Sequence, residues 1–259
     1  MKKSAKFSSS EIELTLTELD GGKEESCPSL HSLIVVESGQ GELAVEGGIV
    51  SVAAGDVILT RPLAYRRICS SENINYIALL FLPERICPEG DPISRVLDFE
   101  GHARIYRDAR AAVLLPRILE GLQLADELDE PFKHQYALSV VRQALTALCS
   151  LSGEGMISAE DELGARICEY INENLREDLS LEKIARAFFI SKFYLCRAFK
   201  EYIGSSIHGY IVAKRISLAK GLIDSGESAS SVAYKVGFGD YSAFYRAYVK
   251  HVGRAPTQK

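Results

Sequence analysis

Arg197 and Arg246 stand 49 residues apart, and each lies in a similar local frame of side chains. Around the first, Phe193, Cys196, Arg197 and Lys200 fall at offsets 0, +3, +4 and +7, with Lys192 beside them. Around the second, Ser242, Tyr245, Arg246 and Val249 repeat those offsets, with Tyr241 adjacent. Such offsets place the residues on one face of an α-helix. The chemistry open to that face is recognition, not bond making. A guanidinium can grip a guanine edge with two hydrogen bonds, hydroxyls reach bases or phosphates, and a ring touches a thymine methyl. Such a face suits the major groove of a nucleic acid duplex.

Metal or nucleophile chemistry finds little support. The histidines are His31, His102, His134, His208 and His251, and no two form a His-x-His pair. Tyr65 and Arg66 stand about where a metal-binding histidine would be sought in a small barrel. The cysteines are Cys27, Cys69, Cys87, Cys149, Cys168 and Cys196, with no Cys-x-x-Cys among them. We expect no catalytic set, no metal and no cofactor, and six reduced thiols acting as small apolar side chains.

The elements that must position the two arginines repeat as well. Leu181, Ile184 and Ala185 predict the buried stripe of a short helix capped by Ser180, and Ser191 caps the next, where Leu195, Phe199 and Tyr202 should face inward. In the second copy Val232, Ala233 and Val236 form the stripe, Gly237 ends the helix, Phe238 fills the core and Asp240 caps the helix of Phe244 and Tyr248. Each copy reads as helix, tight turn, helix. Ala185 and Ala233 are 48 apart, so the second turn holds one extra residue. Between the copies, Ile207 to Ile223 reads as a spacer helix of roughly 25 Å. A spacer of that order could hold two reading helices about one duplex turn, roughly 34 Å, apart.

Charge agrees with that division. The net charge of −5 argues against a polyanion partner, but residues 181–259 carry 13 Lys and Arg against 5 Asp and Glu. Residues 1–159 carry 15 against 23. A basic carboxy-terminal unit on an acidic body points to a polyanion at that end only.

Ile184-Ala185, the run Ser191 to Lys200, Gly204, Arg215-Ile216, Ala219, Val232-Ala233, Gly237-Phe238, Phe244, Arg246, Gly253 and Pro256 together resemble the AraC/XylS family of bacterial transcription regulators. The resemblance implies DNA contacts at Phe193, Cys196 and Arg197, and at Tyr241, Ser242, Tyr245 and Arg246. The helix face adds Lys192 and Lys200. Three departures stand out. Phe189 occupies the first turn where the family holds glycine, and keeping that geometry would cost on the order of 1 kcal/mol. Cys196 stands where the family often has a polar residue. The sequence ends three residues after Pro256, without the usual Tyr-Arg.

The first part reads as strands. Ile12–Thr17, Leu33–Val36, Leu43–Val45, Ile49–Val52, Val57–Leu59 and Tyr76–Phe81 are short apolar or alternating runs separated by turn signals. Gly39-x-Gly41 and Gly55-Asp56 give this region a looser resemblance to a cupin-type sensor domain. From about residue 91 the pattern turns helical, and Pro131 opens a helix to about Leu151 with a Leu138, Val141, Leu145, Leu148 stripe. That stripe either packs on the barrel or forms a dimer interface.

The expected fold is therefore an α+β two-domain chain. A cupin-like antiparallel β-barrel with following helices spans 1–151, a linker 152–158, and an all-α double helix-turn-helix domain 159–259. No signal peptide or bilayer-crossing stretch is evident, which predicts a cytoplasmic protein with no membrane partner. Its expected partners are double-stranded DNA, RNA polymerase, a second copy through the helix 131–151, and a small-molecule effector. Activation is the expected sense, although the sign depends on where the site lies relative to the promoter. Three readings of the signal stay open: effector control, a ligand-independent regulator whose first domain only dimerises or binds a partner protein, and redox sensing through Cys196.

Overall fold

A computed structural model of the chain describes residues 2–8, 12–46, 48–125, 127–151, 156–157 and 163–257. Most of the expected linker, and the start of the segment that follows it, lie outside them. The chain divides into two compact units, residues 1–45 with 49–158, and residues 159–259 with 46–48.

The first unit is built on a curled antiparallel sheet, as the turn-separated runs predict. Its strands are β1 (Lys2–Ser8), β2 (Ile12–Ser26), β3 (His31–Ser38), β4 (Gln40–Val45), β5 (Gly48–Ala53), β6 (Val57–Thr60), β7 (Arg66–Phe81), β8 (Ala103–Tyr106) and β9 (Met156–Ile157). The main order is β1-β2-β7-β3-β6-β8-β9, with β4 paired to β5 and β7. The long β7 pairs with β3 near Tyr76–Phe81 and with β4 near Arg66–Cys69, so one strand serves both ends of the curl.

Period-two alternation explains the two faces. On β3, Leu33 and Val35 join a core with the helices, whereas Ile34 and Val36 join a second cluster with residues of β2 and β4 to β8. The helical layer is α2 (Ala109–Ala125) and α3 (Phe132–Cys149), preceded by the short α1 (Pro83–Ile86). On α3, Val141, Leu145 and Leu148 are buried in that first core and Leu138 packs against it. Of the two readings of this stripe, packing within the unit is therefore the one realised. A sheet face this apolar needs a cover: α2 lies against β1 and β3, and α3 packs on α2. The region after 91 is less helical than its composition suggests. It holds a 3₁₀ turn (Pro92–Val96) and the strand β8, which lies between β6 and β9 in the sheet, before α2 begins.

His31 heads β3, stacked on Phe81 with ring centroids 5.8 Å apart. Burial depresses its imidazole to about 4, with Glu84 opposing and Arg61 adding to the shift. The unfolded chain then binds the extra proton between about pH 6.5 and 4, so this residue's contribution is intact above that window and is lost as pH falls through it. The urea midpoint of the wild type should fall more than that of His31→Gln between pH 7 and 4.5. Parallel pH profiles would remove His31 as the cause.

The second unit is all α: α4 (Leu163–Glu173), α5 (Leu181–Ala187), α6 (Lys192–Ile203), α7 (Ile207–Asp224), α8 (Ala229–Lys235) and α9 (Tyr241–Val252). Among the described residues no helix is long and apolar enough to cross a membrane.

Candidate nucleic-acid interface

α5–α6 and α8–α9 are two helix–turn–helix units built on one plan. Each leading helix is capped by a serine: Ser180 Oγ accepts from the Lys183 amide at 3.3 Å and Ser228 Oγ from the Ser231 amide at 3.4 Å. The following helices are capped by Ser191, accepting from Tyr194 N, and by Asp240, accepting from Ala243 N at 2.8 Å. Each helix ends at a left-handed glycine, Gly204 or Gly253.

The turns match bond for bond. Phe189 N donates to Arg186 O and Ile190 N to Ala185 O; 48 residues on, Gly237 N donates to Tyr234 O and Phe238 N to Ala233 O. The first turn is thus kept, not rebuilt, with Phe189 at φ 56° where Gly237 has φ 94°. Surroundings separate the two. A Cβ at Gly237 would meet the Arg215 guanidinium at 2.8 Å, because Arg215 lies across that turn. Its Nε donates to Leu175 O and its Nη2 to Glu177 O, and it stands 5.9 Å from the Phe238 ring. Arg215, one of the basic residues of the spacer, is thereby engaged inside the fold. Phe189 instead points into open solvent, 96% exposed.

The inner faces carry the packing. Leu195, Phe199 and Ile203 of α6 are buried, and Phe199 meets Tyr210 edge-on at 5.3 Å. Tyr202 is only half-buried and lies over Gly164, where a Cβ would fall 2.2 Å from its ring. In the second unit Phe244 and Tyr248 join Val232, Ala233, Val236, Ile216 and Ala219 in one core.

The outer faces carry the predicted site residues. Lys192, Phe193, Cys196, Arg197 and Lys200 are all exposed on α6, as are Ser242, Tyr245 and Arg246 on α9. Tyr241 is half-buried, its ring 5.8 Å from Phe244 and 6.3 Å from Tyr245, so it braces the helix as well as edging the face. Cys196 and Cys149 are exposed thiols, not the apolar fillers expected of all six cysteines; Cys87 and Cys168 are buried. Burial pushes both buried thiols up in pKa.

Sequence reasoning missed the acidic neighbours. Arg197 Nε donates to Glu201 Oε1 at 2.9 Å, and Lys192 bonds Glu182. The Arg197–Glu201 pair has i,i+4 spacing, a signal present in the sequence. Arg246 has no carboxylate partner among the described residues. Docking on a polyanion must exchange Glu201 for the new partner, and such an exposed pair is weak. Glu201→Gln should therefore tighten DNA binding about twofold, read by fluorescence anisotropy on a selected duplex. Unchanged or weaker binding would show that Glu201 does not hold Arg197 back.

Among the described residues no group of three His, Cys, Asp or Glu is placed to hold a metal. A family model described as a helix-turn-helix domain matches residues 184–259. The chain is 33% identical over 108 residues to the uncharacterized HTH-type transcriptional regulator YdiP of Escherichia coli, covering 41% of this chain but 35% of that relative. It is 24% identical over 223 residues to the probable transcriptional regulator LumQ of Photobacterium leiognathi, covering 85% of each. Among solved structures, ToxT from Vibrio cholerae O395 aligns over 96% of both chains with 14% identity and a TM-score of 0.44.

Proposed function

We propose that the chain, whose residues 184–259 match a helix-turn-helix domain and which is similar to HTH-type transcriptional regulators, is an AraC/XylS-type transcription regulator in which α6 and α9 read successive major-groove segments of double-stranded DNA. The carrying observation is the duplicated arrangement: two capped helices of equal length, each with a buried aromatic face and an exposed arginine on the other side. Arg197 and Arg246 take guanine edges, Phe193 and Tyr245 lie against apolar base edges, and Ser242 and Tyr241 supply hydroxyls. Lys192 and Lys200 meet phosphates, and Cys196 faces the groove without a strong donor. The protein acts in the cytoplasm without catalysis of its own, as an activator that engages RNA polymerase. Selection of bound fragments from genomic DNA tests this reading. Enriched sequences should hold two short conserved blocks about one helical turn apart; no enrichment would overturn it.

Control by a small effector is the reading we favour for the first unit. Its support is the polar set on the inner face of the curl. Arg66 is buried, with Nε donating to Ser26 Oγ at 2.8 Å and Nη1 to Ser32 Oγ. Nearby, the buried hydroxyl of Thr60 lacks a hydrogen-bond partner among the described residues, as does Thr17 farther along β2. Buried polar groups of this kind are costly unless something satisfies them. A cleft of about 740 Å³ by β4, β5 and β7, edged by Asp56 and Arg107, is a second place for a small molecule. A thermal-shift panel of metabolites separates effector control from the ligand-independent alternative. A homodimer through the helix 131–151 would use its outer residues Phe132 and Tyr136, since the inner stripe is buried.

A further inference from the structure

Phe189 combines two features that folding alone does not favour. Its backbone is left-handed at φ 56°, a region unfavourable to bulky side chains, and its ring is 96% exposed. Four residues on, Phe193 is 80% exposed at the start of α6. Ser191, the cap of that helix, lies between them. Neither ring is held by the core, so neither is explained by packing. Strained, exposed positions of this kind are often functional.

The frame around the rings restricts their partner. Residues 181–203 hold five basic residues, among them Arg186, Lys192, Arg197 and Lys200, and only two acidic ones. Apolar rings in a positive frame would repel a second copy of the same surface. They match a surface that combines dense negative charge with isolated apolar groups, which is a major groove edged by phosphates and studded with thymine 5-methyls.

We propose that Phe189 and Phe193 form an apolar reading edge for thymine methyl groups in the DNA segment contacted by the first helix–turn–helix unit. This rests on the DNA-binding reading above and adds a residue, Phe189, that lies outside the reading helix. The edge explains why the first turn keeps a strained phenylalanine: the left-handed position carries its ring out beside the amino end of α6. It also compensates for Cys196, which offers the groove no strong donor.

The test uses the full-length chain on a selected duplex in which thymines are replaced one at a time by deoxyuridine, removing only the methyl. Wild type should lose about fourfold in affinity at each contacted thymine. Phe189→Gly, which supplies the residue best suited to that backbone, should melt at least as high as wild type, bind the thymine duplex several-fold more weakly, and be indifferent to deoxyuridine at the position read by Phe189. Phe193→Ser should lose its own, neighbouring position. Equal binding of thymine and deoxyuridine duplexes by wild type would overturn the proposal, as would equal methyl sensitivity in wild type and Phe189→Gly. If Arg246→Ala still loses specific binding in that case, only the methyl edge falls. If the chain selects no site at all, the DNA reading falls and takes this inference with it.

Discussion

Truncating Phe244 to alanine should destabilise the second helix–turn–helix unit by about 3–5 kcal/mol. The ring is fully buried, and it meets Phe238 at 5.4 Å, Tyr248 at 5.5 Å and Tyr241 at 5.8 Å between ring centroids. Removing it deletes the centre of that aromatic group and leaves a cavity bounded by α7, α8 and α9. Small helices cannot collapse into such a space without moving their axes, so most of the lost contact stays lost. A change of this size approaches the whole stability of an ordinary domain, roughly 5–15 kcal/mol. Phe244→Leu keeps most of the volume and should cost far less. The chain has no tryptophan, so helical circular dichroism during urea unfolding is the natural probe. A loss below about 1 kcal/mol would mean that Phe244 is not the centre of this core.

Arg246→Ala should weaken specific DNA binding by about 1–3 kcal/mol and relax base preference at one position. The expected effect exceeds that at Arg197, because Arg246 is exposed with no carboxylate partner among the described residues, whereas Arg197 must first leave Glu201. Arg246→Lys separates charge from shape. A lysine keeps the attraction to phosphate but lacks the planar fork that grips guanine. The lysine variant should retain the salt dependence of wild type and lose the base preference. Wild-type specificity in both variants would remove Arg246 from the reading face.

The contrast between these two residues also measures what the sequence made legible. Phe244 and Phe199 were visible because a fixed repeat with helical spacing places inward residues without any tertiary information. The caps Ser180, Ser191 and Asp240 were visible for the same local reason. The strand β8 was not, because Ala103–Tyr106 is too short to alternate and earns its place only by pairing with β6 and β9. The half-buried state of Tyr202 was hidden too, since it depends on the missing side chain at Gly164. On the reading face, side-chain types could be listed, but their engagement could not. Whether an arginine is bonded or free depends on rotamers, and Glu201 entered only with the structure. Phe189 read as an anomaly in sequence; its solvent exposure makes it a candidate contact.

The two turns differ in how much freedom they leave to descent. At Gly237 the Arg215 guanidinium occupies the space a side chain would need, so replacement there disturbs the fold before it alters any target. At residue 189 nothing packs over the backbone, and the side chain can change while the turn hydrogen bonds remain. On the proposed reading, the first unit can therefore change what it recognises at its turn as well as on its helix face, whereas the turn of the second unit is closed to that route. If the first unit reads DNA as proposed, descendants of such a protein have one more position, residue 189, at which their targets can diverge without loss of the fold.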